Sequence, residues 1–246
     1  MQNFINQYRN TLSLDECNQI ISWMDLKHSD QIPGKLGSLG RVDLSKKSSR
    51  DLELSFMEKN PVNELIASAV MQSVTTYKKQ HSELVTHLPE WSPYAGYNIQ
   101  KYLPNNAYYA THCEHGWSDA PSKRILAWMI YLNTIKKGGG TEFPILRKKI
   151  KAEAGKCVIW PSGWTHMHRG IIAPDETKYI ATGWIEYADV HEGIGPWRID
   201  EQTGYCYYMD NSPSEDDDED TCEDDDDDVI CDMNKPKRYK RLSDLT

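Results

Sequence analysis

No stretch of this 246-residue sequence is long and apolar enough to cross a membrane, and Met1–Arg9 lacks the hydrophobic core of a secretory leader. None of the six cysteines (Cys17, Cys113, Cys157, Cys206, Cys222, Cys231) stands in a CxxC pair. Reduced thiols, in the cytoplasm or another reducing intracellular compartment, are therefore the expectation. A surplus of basic charge is missing too. The chain holds 28 Lys and Arg against 37 Asp and Glu, and residues 212–246 take 5 of the former and 14 of the latter. Residues 1–211 are left with 23 of each, so a nucleic-acid-binding body is not indicated. The apolar fraction, 39%, is low for a folded domain, and part of the deficit lies in that same C-terminal stretch.

From Ser212 the sequence runs SPSEDDDEDTCEDDDDD, without apolar periodicity. It buries too little apolar surface to offset the entropy of ordering, and its carboxylates repel one another. Residues 212–246 are expected to be a disordered acidic tail, available as an arm for a basic partner. The short basic run KPKRYKR (235–241) is placed either to fold back on the acids or to engage a partner.

Upstream, two segments read as helices. Ser13 and Glu16 have capping-box spacing ahead of Ile20, Ile21, Trp23 and Met24. Asn60-Pro61 reads as a cap with proline at the first helical position, followed by Val62, Leu65, Ile66, Ala69, Val70, Val74 and Tyr77 at helical spacing. From about Ala95 the pattern becomes short segments rich in Tyr, Ile, Val and Trp: YNIQKY, YYATH, RILAWMIYLN, KKIKA, KCVIWP and TKYIATGWIEY. Turn residues separate them, as in an all-β sandwich or barrel. The division expected is helical support over 1–94, a β core over 95–190, an irregular segment over 191–211, and the tail.

Two windows hold half of the eight histidines. In YYATHCEHGW (108–117), residues two apart on an extended chain face the same way, which pairs His112 with Glu114 and turns Cys113 and His115 aside. In WPSGWTHMHRG (160–170), His166 and His168 are co-facial in the same sense. An imidazole, a carboxylate and one more imidazole make the facial triad that suits non-haem Fe(II). H-x-E alone is more often a surface ion pair, and the spacing leaves open which later histidine would complete the triad. Lys178 stands ten residues after His168 in an apolar strand; it either lies on the solvent face of an edge strand or points into the core, where a buried ammonium needs an anionic partner.

Taken in order, YLPNNAYYATHCE, RILAWMIYLN, GGGTEFP, GKCVIWP and HRGIIAPDETKYIATGW resemble the Fe(II)/2-oxoglutarate-dependent dioxygenases, in their prolyl 4-hydroxylase-like branch. The resemblance covers about residues 97–187, and FINQYRNTLSLDECNQII is similar to the helix that opens such domains. It implies a mainly β, double-stranded β-helix (jelly-roll) core with supporting N-terminal helices. It also implies an enzyme that uses Fe(II), 2-oxoglutarate and O2, with ascorbate as a candidate reductant, to hydroxylate a C–H bond with release of succinate and CO2. Its leading substrate would be a prolyl residue of a protein or peptide, and no membrane or nucleic-acid partner is expected.

Residue by residue, the resemblance makes His112, Glu114 and His168 the metal ligands. Lys178 would meet the distal carboxylate of 2-oxoglutarate, helped by Thr141 and Tyr102, and Tyr109, Arg124 and Trp184 would lie on the substrate side. Two departures stand out: the carboxylate ligand is Glu114 where most members have aspartate, and Tyr102 precedes His112 by ten residues rather than nine. The alternative from another class is a catalytically silent β-sandwich binding module whose acidic tail engages a partner.

Overall fold

The capping box forms as its spacing predicts. In the computed structural model, the Ser13 hydroxyl accepts from the Glu16 amide and the Glu16 carboxylate accepts from the Ser13 amide, opening α1 (Leu14–Leu26). Asn60 also caps, its Oδ1 accepting from the amides of Val62 and Asn63, but α2 begins later than expected, at Asn63, and runs to Gln80. The structure describes residues 3–37, 40–116, 119–187, 194–199, 206–210 and 240–241.

The N-terminal part also supplies strands: β1 (Asn6–Tyr8), β2 (Ile32–Pro33) and β3 (Arg50–Ser55). After α2 come α3 (Ser82–His87), β4 (Trp91–Tyr102), α4 (Asp119–Lys123), β5 (Arg124–Tyr131), β6 (Thr141–Phe143) and β7 (Lys148–Ile150). Then follow β8 (Lys156–Pro161), β9 (Arg169–Gly170), β10 (Lys178–Tyr187), β11 (Ile194–Ile199), β12 (Cys206–Asp210) and β13 (Lys240–Arg241). Seven strands form one antiparallel sheet in the order β1-β8-β5-β10-β4-β3-β2, faced by a small sheet β7-β6-β9. This is a mainly β, double-stranded β-helix with helices on one side.

The large sheet crosses the expected boundary at residue 94, because β3 pairs with β4 from Arg50↔Lys101 to Ser55↔Gly96. The segment read as irregular, 191–211, instead contains β11 and β12, paired antiparallel, with Lys240–Arg241 pairing along Tyr207 and Tyr208. The rest of the acidic tail lies outside the described residues. YYATH, read as a strand, forms only isolated bridges, Lys47↔Tyr108 and His112↔His168. Among the described residues no helix is long and apolar enough to cross a membrane.

The large sheet is buried on both faces, which is why β5 reads as an unbroken apolar run rather than an alternation. Leu126, Trp128 and Ile130 face the helices and pack in one cluster with Ile20, Met24, Ile66 and Val70. Ala127, Met129 and Tyr131 face the small sheet and join Phe143, Ile150 and Trp160. Burial of each such large side chain stabilises the fold by about 1.5–3 kcal/mol.

Gly183 stands opposite Trp128 in the β10–β5 ladder, where a Cβ would lie 2.6 Å from the indole ring. Its absence lets the tryptophan close the helix-side core. Immediately afterwards the β10–β4 register shifts between Gly183 and Ile185, where residues 94–96 of β4 stand against the single residue Trp184, so the bulge lies in β4 and Trp184 keeps the alternation of β10.

Candidate metal centre

The bridge between His112 and His168 brings two distant parts of the chain into register. Each backbone amide donates to the other residue's carbonyl, at 3.0 and 2.8 Å. Nδ1 of His112 lies 3.0 Å from the Ala110 carbonyl, and Nδ1 of His168 lies 3.0 Å from the His166 carbonyl. A carbonyl can only accept, so each ring carries its proton on Nδ1 and presents Nε2 as a lone pair. Both Nε2 atoms face Oε1 of Glu114, at 3.5 Å from His112 and 3.3 Å from His168. Burial lowers the pKa of His168 and favours the neutral ring, although the neighbouring Glu114 carboxylate, which would pair with a protonated ring, opposes this. Burial alone would raise the Glu114 carboxyl, but the two histidines hold it well below the ordinary carboxylate range.

Two lone pairs directed at one carboxylate oxygen make a repulsive set unless a cation lies between them. The three donor atoms lie within 4.8 Å of one another. Neighbouring positions on a metal with bonds of about 2.1 Å are about 3 Å apart, so the observed spacing fits an ion with little adjustment. Two neutral imidazoles and one carboxylate on one face match the donor set of non-haem Fe(II). Aromatic rings hold the imidazoles in place: Tyr108 stacks on His112 at 3.7 Å and Trp160 meets His168 edge-on at 5.0 Å.

Lys178 lies in the same cavity, which has a volume of about 900 Å3. It is 3% exposed and pairs across the ladder with Tyr102, its Nζ 4.5 Å from that ring's centroid. Among the described residues no carboxylate or hydrogen-bond acceptor partners it, and burial takes its pKa down to about 8. This is the feature an entering dicarboxylate would satisfy. Thr141 also lines the cavity, its hydroxyl 2.7 Å from that of Tyr131, a residue the sequence reading did not single out. Tyr102 donates its proton to Gln100 Oε1 at 2.7 Å, and Gln100 in turn donates to Asp51, which also receives Lys47. The Tyr102 oxygen therefore faces any ligand as an acceptor, and burial keeps the phenol protonated.

The other candidates separate clearly. Arg124 and Trp184 line the cavity and bear directly on Glu114: the indole N–H donates to Oε2 at 2.8 Å, and Arg124 donates to the Glu114 carbonyl at 3.3 Å. Tyr109 is not in the lining; its hydroxyl donates to the Asn105 carbonyl at 3.0 Å. Tyr108 occupies the inward position instead, because its backbone is tied into the bridge with Lys47. His115 is directed to the Arg124 carbonyl, and His166 uses both nitrogens elsewhere, on Asn3 and Thr165.

Residues 97–186 match the family model of the 2OG-Fe(II) oxygenase superfamily. No curated protein matches the chain. Among solved structures, the 2OG complex of a viral collagen prolyl hydroxylase from Paramecium Bursaria Chlorella virus-1 is similar, with TM-score 0.56 and 19% identity over 76% of this chain and 97% of that one. A Pseudomonas putida prolyl-4-hydroxylase gives 0.57 at 16% identity, covering 75% and 94%. A Trichoplax adhaerens prolyl hydroxylase, in complex with a hypoxia inducible factor peptide fragment, gives 0.59 at 16% identity, covering 76% and 84%. Residues 97–186 thus carry the match to the 2OG-Fe(II) oxygenase superfamily, on a fold shared with prolyl hydroxylases.

Proposed function

We propose that this chain, with its 2OG-Fe(II) oxygenase domain, hydroxylates a prolyl side chain in a protein or peptide. The observation that carries the reading is one cavity holding both a convergent His112–Glu114–His168 donor set and an unneutralised buried cation, Lys178. His112, Glu114 and His168 hold Fe(II), and Lys178 pairs with the far carboxylate of 2-oxoglutarate, with Thr141 and Tyr102 beside it. When bound, the iron and its cosubstrate supply O2 activation, coupled to decarboxylation of the keto acid to succinate and CO2 and to transfer of one oxygen atom to a C–H bond. The chain's own work is to orient the ligands through their backbone-bonded Nδ1 atoms, to anchor the cosubstrate, and to keep water from the closed end of the cavity. Ascorbate as reductant is carried by the resemblance alone. A silent binding module would have no use for an unpaired lysine 3% exposed, which lowers stability unless an anion arrives.

The prolyl assignment is supported by the solved structures of like fold, which are prolyl hydroxylases, one of them with a peptide bound. It is tested by incubating the full chain with Fe(II), 2-oxoglutarate, ascorbate and a peptide array, then locating any added oxygen by fragment mass spectrometry. The expected outcome is oxygen on proline, with succinate formed in equal amount and no product when that proline is replaced by alanine. Oxygen on another residue type would overturn the prolyl reading and leave the oxygenase reading in place.

A further inference from the structure

Glu114 is held at three points. Its amide donates to the Ser162 carbonyl at 3.0 Å, its carbonyl accepts from Arg124 at 3.3 Å, and its Oε2 accepts from the Trp184 indole at 2.8 Å. The backbone contacts fix where the side chain starts, and the indole contact fixes where it ends. Trp184 is itself placed by the alternation of β10, which turns Lys178, Ile180, Thr182 and Trp184 to the cavity, and by Arg124, whose guanidinium carbon lies 3.5 Å from the indole ring centroid. Across the guanidinium, Glu186 Oε1 approaches Arg124 Nε at 3.7 Å, so the arginine is anchored at its other edge by a second carboxylate.

The two oxygens of Glu114 therefore do different work. Oε1 faces both imidazole nitrogens, and Oε2 is claimed by the one donor an indole possesses. We propose that Trp184, steadied by Arg124, is a positioning residue that makes Glu114 a one-oxygen metal ligand, and that the length of the glutamate is matched to this pairing. An aspartate on the same pinned backbone would withdraw the carboxylate by up to about 1.5 Å, one C–C bond. It could meet the imidazoles or the indole, not both. Arg124 and Trp184 thus act through the carboxylate ligand, a role distinct from the substrate-side one that the resemblance implies for them.

The inference rests on the metal-centre reading, and a metal titration separates the two. Apoprotein is titrated with Mn(II), followed by the electron paramagnetic resonance signal of free Mn(II), for wild type, Trp184→Phe, Glu114→Asp and the double variant. Trp184→Phe is expected to bind about tenfold or more weakly, as loss of an outer hydrogen bond to a ligand does. Glu114→Asp is also weakened, and adding Trp184→Phe to it costs nothing further, since the bond is already lost. The Co(II)-loaded Trp184→Phe protein should show changed visible absorption, as the freed oxygen enters the coordination sphere.

Equal binding by wild type and Trp184→Phe, aspartate binding as tightly as glutamate, or the same Trp184→Phe penalty in both backgrounds would overturn the proposal. No binding by wild type would instead remove the metal centre on which it rests. If Trp184→Phe does not fold, indole-15N labelling of wild type and Glu114→Asp decides. One of the eight tryptophan N–H signals should move upfield in the aspartate protein while the others hold, and no such movement overturns the proposal.

Discussion

His168→Ala is expected to abolish Fe(II)-dependent succinate formation, and His166→Ala to retain it. The two histidines are two residues apart and both buried, so neither spacing nor exposure separates them. Their nitrogens do. His168 gives Nδ1 to a carbonyl and leaves Nε2 facing Glu114 at 3.3 Å, with Nε2 of His112 on the same oxygen. His166 spends Nε2 on the Asn3 carbonyl at 2.7 Å and Nδ1 on the Thr165 hydroxyl at 2.9 Å. Removing the His168 ring deletes a ligand outright, which should weaken metal binding by more than the roughly 10–100-fold lost with an outer-shell partner. Removing the His166 ring costs about 1–2 kcal/mol of stability and keeps the backbone carbonyl that orients His168. Succinate release and Mn(II) affinity measured on both variants check this, and the opposite pattern would make His166 the ligand.

Lys178→Met should act in two opposite directions. Without cosubstrate the variant is the more stable protein; with it, the variant is the poorer binder. Burial holds the Lys178 pKa near 8, against 10.5 for an unperturbed lysine. Below pH 8 both folded and unfolded chains are protonated, and the folded state bears the full cost of the buried charge, about 3 kcal/mol for a shift of this size. Between pH 8 and 10.5 the folded state gives up its proton first and the cost shrinks; above 10.5 it is gone. Urea denaturation of wild type and Lys178→Met should therefore show the variant more stable at pH 7, with the difference fading by pH 10.5. In the presence of 2-oxoglutarate the wild type gains and the variant does not. Losing one partner of a buried charge pair costs about 2–5 kcal/mol, at least about thirtyfold in affinity. A variant less stable than wild type at pH 7, or one with an unchanged 2-oxoglutarate requirement, would contradict the anion-pairing account.

Much of this was legible in the sequence because it depends on local spacing. The capping box needs only Ser13 and Glu16 three residues apart, and the inward set of β10 follows from a period of two. His112 and Glu114 share that period, although the chain there is a bend after an isolated bridge rather than a strand. What was not legible depends on contacts across strands. Tyr108 and Tyr109 are indistinguishable as letters, and the bridge to Lys47 decides which one turns inward. The period of two turns Trp184 inward, but its indole contact to Glu114 joins residues 70 positions apart, which no local spacing announces. Tyr131 pairs with Thr141 only because the small sheet folds over β5. The boundary at residue 94 failed for a related reason: β3 is short and lies in a polar connector, so its pairing with β4 gives little periodic signal.

The central claim is that His112, Glu114 and His168 hold Fe(II) while Lys178 anchors 2-oxoglutarate against it. Anaerobic titration of the reconstituted full chain with Fe(II) and then 2-oxoglutarate tests this most directly, read by the weak visible charge-transfer absorption of the chelate. A band that saturates at one equivalent of each, is lost in His168→Ala and needs more cosubstrate in Lys178→Met is the predicted result. A well-folded protein that shows no band at saturating Fe(II) and 2-oxoglutarate would contradict the account.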